Sequence, residues 1–130
     1  MATHICVCIC TFKRPGPLSE LLVALSRQRT DSEFQFSIVV SDNDQEESAR
    51  HVVESLTSSG DLLSVTYCVE PEQNIAKARN NAIDNAPKGD YLAFIDDDEI
   101  PDENWLLNSL RTCLRHNADG VLGPVRPDYL

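Results

Sequence analysis

The chain has 130 residues, of which 42% are hydrophobic and 25% charged, and carries a formal net charge of -10. That suits one soluble α/β-sized domain with its own core, and an acidic surface without a basic stripe excludes nucleic acid as the expected partner. No apolar run approaches a bilayer span, and no secretory apolar region follows Met1, so no transmembrane segment is expected within this chain.

Ile5 to Cys10 is apolar throughout, which predicts a strand buried on both faces, as in the middle of a parallel sheet. Its Cys6-Val7-Cys8-Ile9-Cys10 run resembles a metal motif only superficially. Alternate side chains on a strand lie about 6.6 Å apart, whereas tetrahedral zinc draws its thiolates to about 4 Å of one another. These cysteines are therefore read as small apolar core residues. Five cysteines, an odd number, with no signal peptide fit a reducing cytoplasm. Thr11 to Pro17 is a loop, and Pro17 is a suitable first helical residue. Leu18, Leu21, Leu22 and Leu25 form a one-sided helical stripe.

Phe36 to Ser41 reads as the second strand and ends on Asp42. Asp44 and Glu47 have capping-box spacing, ahead of a helix buried through Ala49, Val52, Val53 and Leu56 and ended by Ser58-Ser59-Gly60. Val65 to Val69 is a third strand, and Asn74 is a helix cap for Ile75 to Ala86. Tyr91 to Ile95 is a short buried strand, followed by a helix from near Asp102 with Leu106, Leu110, Cys113 and Leu114 as its stripe. Gly120 to Val125 reads as a last strand. Strands alternating with helices imply one Rossmann-like α/β domain over residues 1–130, a mainly parallel sheet with helices on both faces.

Chemistry concentrates where strands end. Asp96, Asp97, Asp98 and Glu99 follow the Tyr91 strand directly, and Pro101 bars its continuation. Adjacent carboxylates at a core edge repel one another and lose solvation. Either water relieves that, as in a solvated loop before a helix, or a hard cation such as Mg²⁺ or Mn²⁺ does. In open α/β sheets the ligand crevice lies beyond the strand C-termini, which here carry Thr11, Asp42 and the acidic run. Asp42 reads equally as a turn residue. Arg79 falls within the stripe of Ile75, Ala82, Ile83 and Ala86, so it is expected to face inward, towards a structural carboxylate or an anionic ligand. The dinucleotide fingerprint, the P-loop pattern and the EF-hand glycine are all missing.

Four segments in register resemble the family 2 glycosyltransferases of the GT-A fold: Ile9 to Pro15, Val39 to Asp44, Asn74 to Asn80, and Phe94 to Glu99 with Pro101 and Trp105-Leu106. The resemblance covers the N-terminal, donor-binding half of such a domain, so the chain is expected to be truncated on its C-terminal side. It implies a nucleotide-diphospho-sugar donor, with a UDP-sugar first and CDP disfavoured. By the same resemblance Thr11, Asp42, Arg79, Asp96 and Asp97 serve the nucleotide sugar, and Asp96 and Asp98 form a D-x-D site for Mn²⁺ or Mg²⁺. It further implies inverting transfer to a saccharide or lipid-linked acceptor, with the general base downstream of this chain. No catalytic residue is expected within the fragment, which should be inactive alone. The expected location is cytoplasmic, with any attachment to the inner face of a membrane lying in parts outside this chain. The competing reading is a nucleotide- or metal-binding module without transfer chemistry.

Overall fold

The computed structural model describes residues 3–60 and 64–116. Four strands and four helices alternate: β1 (Thr3–Thr11), α1 (Pro15–Ser26), β2 (Phe34–Asp42), α2 (Arg50–Ser58), β3 (Val65–Val69), α3 (Ile75–Asn85), β4 (Tyr91–Phe94) and α4 (Trp105–His116). The strands form one parallel sheet in the order β3-β2-β1-β4. The expected parallel α/β architecture is therefore present, and every strand ends on the same edge. The expected strand Gly120 to Val125 lies outside the described residues.

Strand pleating assigns each β1 side chain to a face. Ile5, Val7 and Ile9 point to the larger core, where they meet Leu18, Leu21, Leu22 and Leu25 of α1, Val52 and Val53 of α2, and Leu106 and Leu110 of α4. Cys6 and Cys8 point the other way, where with Val39 they pack against Ala82 of α3. The two cysteines thus act as small core residues. The four α1 leucines are fully buried, each adding about 1.5–3 kcal/mol of transfer free energy. Leu22→Ala would cost about 2–5 kcal/mol, because it also leaves a cavity.

Several boundaries differ from expectation for local reasons. Helix α1 begins at Pro15 rather than Pro17, and its first backbone bond runs from the Leu18 amide to the Arg14 carbonyl. Prolines suit a first turn, whose amides have no intrahelical acceptor. The capping box at Asp44 and Glu47 does not form. Asp44 instead accepts from the Glu46 amide, Glu47 adopts a φ of 61°, and α2 starts only at Arg50. Asn74 does cap α3, its side chain accepting from the Lys77 amide at 3.1 Å. Gly60 closes α2 with a φ of 82°, a conformation that costs glycine little.

β4 is less buried than the short buried strand expected. Tyr91 and Ala93 lie against the larger core, while Leu92 and Phe94 are exposed. Helix α3 packs on β1, β2 and β3. The buried line of α3 is Ala78 and Ala82, and Ile75 and Ile83 are exposed. Two small residues let α3 sit close to the sheet, and the larger side chains are left beside that contact.

Candidate functional site

Four loops meet at the C-terminal edge of the sheet, and polar side chains bind them together. The β1 loop meets the β4 loop through the Thr11 hydroxyl, which donates to Asp97 at 2.9 Å. The β2 loop meets β1 through the Asn43 amide, which donates to the Thr11 carbonyl at 2.8 Å. The Asn43 side chain then spans to the third loop, donating to the Glu70 and Glu72 carbonyls and accepting from the Asn74 amide. Nothing in the sequence pattern singles out Asn43, because its role depends on three partners about 30 residues downstream.

The acidic loop has an inner and an outer part. Asp97 is buried and tied to Thr11, while Asp96 and Asp98 are exposed. Glu99 turns back so that its carboxylate accepts from the Asp96 amide, and the Glu99 amide donates to the Asp96 carbonyl. Burial pushes the Asp97 carboxyl above the ordinary carboxylate range, only partly offset by the Thr11 hydroxyl and the Arg14 charge. Burial also raises Glu99, and repulsion from Asp96 and Asp98 adds to it. A turn anchored on Asp97 thus presents Asp96 and Asp98 to solvent from either side of it. A positive charge between them would relieve the whole group.

Asp42 takes the turn role, one of the two readings its sequence left open. It is fully buried, and both its oxygens are taken. Oδ1 accepts from the Asp44 amide at 3.0 Å, and Oδ2 accepts from the Ala49 amide at 3.0 Å and the Tyr67 hydroxyl at 2.6 Å. Its carboxylate therefore organises the β2–α2 connection and is not turned outward to a base. A buried carboxylate is stable only with such partners. Tyr67 has the complementary perturbation, its phenol raised first by burial and then by its bond to Asp42.

Arg79 departs from the expected inward orientation. It is exposed, not inward, and its guanidinium lies over the Phe94 ring with 4.9 Å to the centroid. One helical step of about 100° separates it from the buried Ala78. The stripe containing Ile75 and Ile83 is the open side of α3, which is why an arginine is tolerated there. Its charge does reach the sheet edge: it opposes the burial that pushes Cys10 up to about 11.

A residue missed in the sequence is Arg14. Its Nη1 stands 3.5 Å from Asp97 and 3.4 Å from Asp98. Lys13, with a φ of 52°, turns the chain just before it. The only available signal was a basic pair ahead of a proline, which reads equally well as a solvated loop.

A sequence profile described as Glycosyl transferase family 2 matches residues 6–129. The chain belongs to glycosyl transferase family 2. Succinoglycan biosynthesis protein ExoM of Rhizobium meliloti (strain 1021) is 40% identical over 126 residues, covering 97% of this chain and 40% of that protein. Among solved structures, S. aureus TarS 1-349 in complex with UDP-GlcNAc superposes with a TM-score of 0.71 at 22% identity, covering 90% of this chain and 32% of that one. The mannosyltransferase PcManGT from Pyrobaculum calidifontis, in complex with GDP-Man and Mn²⁺, gives a TM-score of 0.73 at 21% identity, covering 87% and 33%. These likenesses establish the GT-A type of fold. This family 2 chain spans about two fifths of ExoM and a third of the two structures.

The donor set of this family 2 chain fits a hard divalent cation. Asp96 and Asp98 offer exposed carboxylate oxygens, and no group of three or more His, Cys, Asp or Glu side chains converges among the described residues. Mg²⁺-type sites commonly take one or two carboxylates and complete their shell with phosphate oxygens and water. Among the described residues no helix is long and apolar enough to cross a membrane.

Proposed function

We propose that this chain forms the donor-binding face of a nucleotide-sugar glycosyltransferase, with the nucleoside diphosphate lying across the C-terminal edge of the sheet. The observation that carries the reading is the acidic loop at that edge, two exposed aspartates held apart by the anchored Asp97, in a chain of family 2. Asp96 and Asp98 would hold Mn²⁺ or Mg²⁺, which when bound neutralises the leaving diphosphate. Asp97 and Thr11 set the position of that pair by their mutual bond. Arg79 and Arg14 supply positive charge to an otherwise acidic crevice. Asp42 acts by shaping the Asn43–Asp44 turn at the rim, not through its own carboxylate.

The donor is a UDP-sugar in this reading, supported by the UDP-GlcNAc complex of one fold neighbour, with GDP as the alternative raised by the other. The reaction is direct displacement at the anomeric carbon by an acceptor hydroxyl, with inversion. A carboxylate base outside this chain takes the hydroxyl proton. The acceptor is a saccharide or a lipid-linked saccharide. Calorimetry with UDP and GDP, each with Mn²⁺ and with EDTA, tests the binding reading. Strong affinity with Mn²⁺ and a large loss in EDTA are expected, because the diphosphate otherwise meets like charge. Equal affinity in EDTA would refute the metal-bridged site. Hydrolysis or transfer of the UDP-sugar by the full-length protein separates a transferase from a module that only binds.

A further inference from the structure

Lys13, Arg14 and Arg79 are not equivalent. Lys13 sits over the Phe12 ring and Arg79 over the Phe94 ring. Arg14 instead reaches the acidic loop, where a single nitrogen is shared between Asp97 Oδ1 and Asp98 Oδ2 at 3.5 and 3.4 Å. Those distances exceed a good charge-assisted hydrogen bond, and the planar fork is not used in two parallel bonds. The side chains of Arg14 and Asp98 are 54% and 49% exposed. Such a pair is loosely held and easily exchanged. Its backbone, by contrast, is fixed: Lys13 makes the left-handed turn, and the Arg14 carbonyl accepts the first helical bond of α1 from Leu18. Rotation of the side chain alone can therefore carry the guanidinium away from the acids.

From this geometry we infer that Arg14 is a displaceable counter-ion of the acidic loop, competing with a divalent cation for Asp98 and turning to the diphosphate once a nucleotide binds. The inference rests on the metal-bridged site proposed above and adds an order to it. Without nucleotide, Arg14 partly neutralises Asp97 and Asp98 and weakens cation binding. With nucleotide, the phosphate oxygens offer the guanidinium a better, doubly charged partner, and the acids are released to the cation. Arg14 is thus a positioning residue that couples the two ligands. By linkage, the coupling must appear equally in the cation's effect on nucleotide affinity.

Electron paramagnetic resonance titration of free Mn²⁺ tests this directly, using wild type, Arg14→Gln and Arg14→Lys, each with and without UDP. An exposed ion pair of this kind holds its partners by a factor of about five or less. Arg14→Gln should therefore bind Mn²⁺ alone about 3–5-fold more tightly than wild type. The enhancement of Mn²⁺ affinity by UDP should fall by about 5–10-fold in the same variant, since both halves of the exchange are lost. Arg14→Lys keeps the charge and should restore wild-type weakness towards Mn²⁺ alone. Unchanged or weaker Mn²⁺ binding by Arg14→Gln without UDP, beside a normal wild-type response to UDP, would overturn the counter-ion role and leave the metal site standing. Wild type that takes up no Mn²⁺ even with UDP would overturn the metal site and this inference together.

Discussion

Replacing Asp42 should unfold the β2–α2 connection before it affects any ligand. The carboxylate is fully buried and accepts three hydrogen bonds, from the Asp44 and Ala49 amides and the Tyr67 hydroxyl. Each buried donor left without an acceptor costs about 1–3 kcal/mol. Tyr67 is only partly buried and can turn its hydroxyl towards water, so the two amides dominate. Asp42→Ala should therefore destabilise the protein by about 3–5 kcal/mol. Asp42→Asn keeps the shape but places a donor against one amide, whichever way the amide group is turned, for about 2–3 kcal/mol. Tyr67→Phe removes one charge-assisted bond and should cost about 1–2 kcal/mol, and almost nothing once Asp42 is already alanine. The single tryptophan, Trp105, is buried and reports urea unfolding by fluorescence. A loss below about 1 kcal/mol for Asp42→Ala, together with abolished UDP binding, would refute this reasoning and return Asp42 to direct contact with the base.

Arg79→Ala removes an exposed stack on Phe94, so the melting curve without ligand should show at most the about 0.5–1 kcal/mol of a surface cation–π contact, while the shift induced by UDP and Mn²⁺ shrinks clearly; a large loss without ligand and an intact ligand shift would make Arg79 structural. Gln28 donates to the Asp102 carbonyl and accepts from the Leu106 amide, pinning the start of α4 behind the acidic loop; Gln28→Ala should cost about 1–3 kcal/mol by urea titration, and Gln28→Glu, which cannot donate, should not recover it. The Asp44 carboxyl is held below its ordinary value, first by the Ser48 hydroxyl and then by the Glu46 amide. Its folded pKa is therefore the lower one, so its contribution is present above the unfolded carboxyl value of about 3.9 and is lost as pH falls through the folded value. Asp44→Asn should flatten the acid limb of the stability curve, and an unchanged slope between about pH 2 and 4 would show that the Asp44 carboxyl is not held down in solution.

Periodicity and chemistry along the chain were enough to locate the elements. A continuous apolar run marked β1, because a strand buried on both faces has no polar alternation. The α1 leucine stripe and the Asn74 cap act within a few residues of sequence, so they too were legible. The acidic run could be placed at the sheet edge because four carboxylates directly after a strand have nowhere else to go. Local pattern misled where the decisive partner was remote. Capping-box spacing at Asp44 and Glu47 was overridden by Asp42, whose carboxylate draws in the Ala49 amide and delays the start of α2.

Alone, then, the sequence determined a parallel α/β chain with a carboxylate-rich edge, because these follow from side-chain period and from charge density over a few residues; the family 2 likeness was carried by the resemblance of four segments. The tertiary structure decided which polar groups face the crevice. Asp42 is consumed by Tyr67 and two amides, Asp97 is drawn inward by Thr11, Arg79 is set outward over Phe94, and Arg14 is brought onto the acids. The reason is physical: a carboxylate or guanidinium is a ligand-binding group only while its hydrogen-bonding capacity is unspent. What spends it comes from strands and loops far away in the chain, so the register of the sheet has to be formed before the answer exists.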